Sequence, residues 1–272
     1  MSATALIPLP RAEARRRQTA RYVWRVAVIV LALALWHVFS LSSLGRSGQV
    51  PSPIEAVSRL AELMTTATFW GAVGNTFVSF ALGLGLSVIV GVPLGLVIGS
   101  NRRLEVSTRL VVDFLRTIPA IAFLPIALLV FGVDRDTVLF LIFLSAVWPI
   151  LVQATYAAAQ IDPVLKQVRR AFHLTWWQYI RFQFAPSALP FLTTGLRIAA
   201  IICLLTAISA EFLGGIPGIG QQLQNALVVS QTVTLYAYVL TCGILGILLN
   251  TALLLLQRKL IAWHPSIRGG GR

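Results

Sequence analysis

Four stretches of the chain contain no Asp, Glu, Lys or Arg: Val26 to Gly45, Leu63 to Asn101, Thr137 to Ile161 and Phe212 to Gln257. A helix that crosses a bilayer needs roughly 20 mostly apolar residues, so these runs alone supply at least four spans. Two further apolar blocks are interrupted near their ends by Asp113, Arg116 and Arg197. The pattern predicts six spans, at about 24–42, 69–99, 109–132, 137–158, 188–211 and 233–257. The second block is longer than one span needs, so part of it tilts or lies at the interface. The basic N-terminus followed by VAVIVLALALWHVFSL has the look of a signal peptide. Its apolar part is long enough to span, however, and lacks a clear small-residue cleavage site, so it reads as an uncleaved first span.

Composition supports this class: 57% of residues are hydrophobic and 11% charged, with a mean hydropathy of +0.82. An ordinary soluble domain carries about 25% charged residues. The net charge of +13 does not mark a nucleic-acid partner, because Lys and Arg sit in short segments between apolar blocks rather than across a polar face. Their placement instead gives an orientation. The tail (Arg11, Arg15, Arg16, Arg17, Arg21, Arg25), the turn at Arg102, Arg103 and Arg109, the loop with Lys166, Arg169, Arg170 and Arg181, and the C-terminal Arg258, Lys259, Arg268 and Arg272 alternate with poorly basic loops. By the positive-inside rule both termini and the 163–184 loop are cytoplasmic. The expected organisation is a basic cytoplasmic tail over 1–23, a membrane domain over 24–257 and a cytoplasmic tail over 258–272. Cys203 and Cys242 lie in apolar segments without metal-binding spacing and read as buried apolar residues. No catalytic constellation is present, and no GxxxxGK[ST] run cradles a nucleotide, so ATP-derived energy would have to come from another subunit.

Five stretches in register, spanning about residues 50 to 225, carry a resemblance: VPSPIEAV (50–57), FLRTIPAIAFLPIALLVFGVDRDT (114–137), WPILVQATYAAAQID (148–162), APSALPFLTTGLRIA (185–199) and AEFLGGIPGIGQQL (210–223). Together they resemble the permease subunits of bacterial ABC importers, in particular the branch handling sulfonates, taurine, nitrate, bicarbonate and thiamine-like precursors. The resemblance implies an all-α integral membrane protein of the type I ABC importer permease fold, in the inner membrane. It implies a second permease, identical or not, two ATPase subunits that bind ATP and Mg, and an external substrate-binding protein. It implies no cofactor in this chain. The competing class is an ATP-independent channel or carrier.

The family's cytoplasmic signature is Glu-Ala-Ala, three residues, Gly, nine residues, then Ile-x-Leu-Pro; it forms a coupling helix that docks on the ATPase. Aligned on Pro186, the Glu position is Gln167, the Ala positions Val168 and Arg169, the Gly position His173, and the Ile and Leu positions Gln183 and Ala185. Only the proline survives. The residues still suit docking over about 163–184. Asp162-Pro163 can open a helix, Leu165, Val168 and Phe172 recur at helical spacing among Lys166, Arg169 and Arg170, and Trp176, Trp177, Tyr179, Phe182 and Phe184 follow. An interfacial helix on anionic lipid fits the same residues. His at the Gly position leaves two options, a changed turn geometry or an ordinary helical place for His173. The missing Glu suggests pairing with a non-identical permease that keeps the standard signature.

Within the membrane, Pro119, Pro125 and Pro149 either bend helices that line a path or are packing kinks. The glycines of GLGLSVIVGVPLGLVIG (83–99) offer close helix contact. Asp113 and Arg116, three apart, can neutralise one another. Arg197 attracts an anion or snorkels, and Glu211 opens an outer loop broken by glycines. Pro119, Pro125, Arg197 and Glu211 are therefore the candidate path or gate residues; His37 and Asn250 have no evident partners.

Overall fold

The computed structural model describes residues 11–43, 47–160, 167 and 171–261, all of whose regular elements are helices. In chain order these are α1 (Arg11–Ser40), α2 (Pro53–Leu63), α3 (Ala67–Ser100), α4 (Arg102–Leu115), a 3-10 turn (Ala120–Phe123) leading into α5 (Leu124–Phe131), α6 (Arg135–Ala159), α7 (Trp176–Gly214), α8 (Ile219–Val228) and α9 (Thr232–Leu260).

The starts follow local chemistry. Ser52 and Glu55 form a reciprocal capping box with Pro53 in the first turn of α2. Thr66, Asn101 and Asp134 cap α3, α4 and α6 through side-chain oxygens that accept backbone N–H groups. Gly132 ends α5 at φ 75°, a conformation that favours glycine, and its carbonyl accepts a hydrogen bond from the Thr137 hydroxyl at 2.7 Å.

Helix α6 is the centre of the molecule, packed between α3 and α7. Small residues make this possible, because packing between membrane helices depends on close backbone approach. Gly83, Gly91, Gly95 and Gly99 on α3 face Ile142, Ile150, Ala154 and Ala158 on α6. On the other side of α6, Gly195 of α7 rests against Gln153 and the Pro149 carbonyl. The resulting core holds Ala146, Ala199, Ala200, Cys203, Ala207 and Ala210, all inaccessible. Hydroxyls inside it bond to the helix itself: Ser87 Oγ donates to the Gly83 carbonyl at 2.8 Å and Thr155 Oγ1 to the Leu151 carbonyl at 2.9 Å.

The span count differs from the expected six. Among the described residues, four helices (α3, α6, α7, α9) are long and apolar enough to cross a membrane. A fifth span exists if α4 and the Ala120–Phe131 segment, bent by 68°, count as one. The predicted single helix over 109–132 is therefore broken, because Pro119 cannot continue α4 and the residue before it is pushed out of the helical region. Pro119 caps the 3-10 turn and Pro125 sits in the first turn of α5, so neither is a kink within a helix. Pro149 lies inside α6, half-buried, with its carbonyl against Gly195 of α7. The first predicted span also falls short: the apolar part of α1, Val26–Ser40, is shorter than a bilayer crossing, because the preceding turns carry the arginines. Trp36 ties α1 to the rest, donating Nε1–H to the Pro51 carbonyl at 3.1 Å and stacking on Tyr236 at 5.9 Å.

Candidate functional site: the coupling segment and the buried polar groups

The segment leading into α7 is built on one strained residue and one cap. His173, at the signature's glycine position, has φ 47°, in the left-handed region. Neither of the two sequence options holds: the turn keeps the geometry that the signature's Gly would adopt, and a non-glycine residue occupies it. Thr175 then caps α7 in a reciprocal box with Gln178, its hydroxyl accepting from Gln178 N–H while Gln178 Oε1 accepts from Thr175 N–H at 2.9 Å. This T-W-W-Q box was legible in the sequence as a helix start and was missed. Replacing His173 with Gly is expected to stabilise the protein by about 0.5–1 kcal/mol, the usual size of a left-handed penalty for a residue with a Cβ. Thermal unfolding of the detergent-solubilised protein checks this; an unchanged or lower melting temperature would show that the side chain compensates for the strain.

The box aims an aromatic group outward. Trp176 and Trp177 meet edge to face at 5.6 Å, and Phe172, Trp177 and Phe182 are exposed by 73%, 76% and 67%. The Arg181 guanidinium lies 5.8 Å from the Phe182 ring centre. From Ile180 to Phe184 the helix widens to a π-turn, where Ala185 N–H donates to the Ile180 carbonyl five residues back. Pro186 explains the widening, since it offers no N–H and its ring would clash with the carbonyl four residues earlier. The second half of the predicted 163–184 segment is thus continuous with the fifth span. Gln167 is exposed and helical, while Val168, Arg169 and Arg170, and the proposed Asp162-Pro163 start, lie outside the described residues.

The structure places the membrane polar groups as follows. Asp113 pairs with Arg116 at 3.1 Å and more distantly with Arg109 at 3.9 Å, as the three-residue spacing suggested. Arg197 Nε donates to Asn250 Oδ1 on α9 at 3.1 Å, so Asn250 has a partner after all, and the guanidinium is tied to a neutral amide of a second span. Nothing in the local sequence joins these two residues 53 apart. Glu211 differs most from expectation. It lies inside α7 rather than on a loop, is 0% exposed, and the break comes only at Gly215, φ 65°. Its Oε2 accepts the Thr76 hydroxyl at 2.8 Å and Gly220 N–H at 3.0 Å, while Thr76 Oγ1 accepts Ile219 N–H at 2.9 Å. A carboxylate and a hydroxyl from two spans thus cap α8, whose own N-cap, Gly218, has no side chain to do it. Pro119 and Pro125 are exposed and lie apart from this group along the broken helix.

A family model described as the binding-protein-dependent transport system inner membrane component matches residues 91–263. The chain belongs to this family. The permease is 29% identical to the putative aliphatic sulfonates transport permease protein SsuC of Bacillus subtilis, over 98% of both chains. It is 30% identical to the bicarbonate transport system permease protein CmpB of Synechococcus elongatus, over 87% of this chain and 88% of that one. With the taurine transport system permease protein TauC of Escherichia coli it shares 24% identity, over 89% and 90%. Among solved structures, a chain of the MetNI methionine ABC transporter in an inward-facing conformation matches with a TM-score of 0.57 and 22% identity, covering 70% of this chain and 93% of that chain. The fold is that of a type I ABC importer permease. The protein is a multi-pass inner-membrane transport permease and not a catalytic protein, and the family works with ATPase and substrate-binding partners. The channel or carrier alternative is set aside.

Proposed function

We propose that the permease passes a small organic or inorganic oxyanion, of the sulfonate, taurine, nitrate or bicarbonate type, delivered by an external substrate-binding protein. Support for the class comes from the relatives, whose names specify aliphatic sulfonates, bicarbonate, nitrate and taurine. In this reading ATP and Mg are bound by two ATPase subunits, both termini are cytoplasmic, and a second permease, identical or not, completes the membrane unit.

One observation carries the docking site: Phe172, Trp176, Trp177 and Phe182 are exposed around a capped helix end that runs without interruption into a span. Large exposed aromatics on a rigid support are the kind of anchor that dominates protein interfaces. A groove on the ATPase that grips them would transmit its motion directly along α7. Replacing Trp176 and Trp177 together with Ala is expected to reduce the cognate ATPase copurifying with tagged permease at least ten-fold, with the permease still eluting as a folded species. Retention of the ATPase at the parent level would overturn docking at this segment. Uptake of labelled sulfonate, nitrate or bicarbonate by cells that depend on this importer tests the solute class; uptake of only neutral or cationic solutes would overturn it.

A further inference from the structure

The stretch VPSPIEAV opens α2 and takes no part in the coupling segment or in the group around Glu211. The helix it begins divides into three stripes, each recurring at three- and four-residue steps and so each occupying one face. Ala56, Leu60 and Leu63 are buried, the two leucines in a cluster with Phe69 of α3, Ile219 of α8 and Tyr238 of α9. Glu55, Ser58 and Glu62 form an exposed polar stripe. The third stripe is Ile54, Val57, Ala61 and the capping Met64, all apolar and all exposed, Ile54 by 73%. A helix on the surface of a soluble domain shows one apolar stripe, toward the core, and is polar elsewhere. Helix α2 has two, one toward the protein and one away from it.

Tryptophans brace α2 at both ends. Trp36 Nε1 donates to the carbonyl of Pro51, just before the helix, and Trp70 Nε1 donates to the carbonyl of Met64, at its end, at 2.7 Å. Trp36 stands near the end of α1, Trp70 near the start of α3, and Tyr236, on which Trp36 stacks, near the start of α9. Three helix ends thus bring aromatic side chains with polar tips together around α2, the arrangement that marks the boundary between acyl chains and water. This boundary lies away from the coupling segment, because α2 meets α8, which follows the far end of α7. With the termini cytoplasmic it is the outer boundary.

The exposed apolar stripe runs on into the surface of a span. Met64 adjoins Trp70, which is 54% exposed, and Phe77, two turns further along α3, is 59% exposed. The charges of α2 leave no cation for an anionic headgroup: Arg59 is engaged by Glu62 at 2.8 Å and by Thr234 at 3.1 Å, and Glu55 serves the capping box. What suits the stripe is hydrocarbon rather than headgroup charge.

We propose that α2 is an interfacial helix whose partner is the outer leaflet itself, with the stripe of Ile54, Val57, Ala61 and Met64 in the acyl chains and that of Glu55, Ser58 and Glu62 in water. Its third face closes the cluster at Ile219 and Leu223, so α2 separates the start of α8 from lipid.

Spin-label accessibility tests this in the assembled importer, held in nanodiscs of phosphatidylethanolamine and phosphatidylglycerol. Ile54→Cys, Val57→Cys and Ser58→Cys, all at exposed positions, are labelled one at a time with a nitroxide. The parent protein, with Cys203 and Cys242, gives the background. Collision of the label with molecular oxygen, which concentrates among acyl chains, is compared with collision with a water-soluble nickel chelate. The oxygen-to-nickel ratio is expected to be about five-fold or more higher at 54 and 57 than at 58, as for a helix with one edge sunk into the acyl boundary. Equal ratios at the three positions would put the stripe in water and overturn the proposal. Labels at 54 and 57 shielded from both reagents would also overturn it, since protein, such as a second permease or the binding protein, would then cover the stripe in place of lipid.

Discussion

Replacing Glu211 with Leu is expected to destabilise the permease by about 2–5 kcal/mol and to abolish transport, whereas Gln at the same position should melt between Leu and the parent and retain transport. The Leu variant leaves two buried donors, the Thr76 hydroxyl and Gly220 N–H, without their acceptor. Each such orphan costs about 1–3 kcal/mol. For a chain of this size that corresponds to a fall in melting temperature of about 5–15 °C. Gln can place its carbonyl oxygen where Oε2 now accepts both bonds, but its amide N–H groups then sit where Oε1 has no partner, so it loses part of what Leu loses. The difference between the variants therefore isolates the acceptor from the volume. Thermal unfolding in detergent and solute uptake by intact cells provide the two measurements. If Leu and Gln melted together, the carboxylate would be packing material rather than the cap of α8.

The same group explains why the 215–220 turn is rich in glycine. A Cβ on Gly218 would collide with the Glu211 carboxyl, and one on Gly220 with the Ile208 carbonyl and Phe212 N–H. The turn is pressed onto α7 so closely that the acid can reach its backbone. Through this contact α8 is fixed to α3 and α7 at once.

The apolar runs were enough to place α3, α6 and α9 and the end of α7 within a few residues, because a span is a long signal; the start of α7 at Trp176 precedes the predicted 188 because its first turns are amphipathic. The break at Pro119 within the predicted 109–132 span was not visible to hydropathy, which averages over a break of four residues. The register of glycines in α3 was legible as a packing face because contact between membrane helices depends on small residues at helical spacing. The partners of Glu211 and Arg197 were not legible: Thr76 is 135 residues from Glu211 and Asn250 is 53 from Arg197, so no local pattern connects them. His173 is the instructive intermediate. The signature alignment identified the position, yet only backbone geometry could show that a histidine keeps the turn expected of glycine.

Gly95→Ala is the second change expected to have a large effect, about 2–3 kcal/mol, at the upper end of what overpacking usually costs. An added Cβ would meet the Leu151 carbonyl oxygen and the Ala154 Cβ at distances real Cβ atoms do not adopt. Neither obstacle is the far end of a flexible side chain, so no rotamer change clears the clash and α3 must move off α6. Gly99 faces the same problem one turn on, against Thr155 and Ala158. The control lies in the same helix: a Cβ on Gly85 meets nothing within 4 Å, so Gly85→Ala should be neutral or stabilising by up to about 1 kcal/mol. Size-exclusion profiles of the solubilised variants after stepwise heating would separate them, and equal melting of the two would exclude close packing as the role of Gly95. The effect should extend beyond stability. Helix α6 is held on its other side by Gly195 against Gln153, so widening the α3 seam shifts the surface on which α7 is seated. Transport by Gly95→Ala, measured below its melting temperature, should therefore fall while ATPase copurification at the Trp176–Trp177 surface persists.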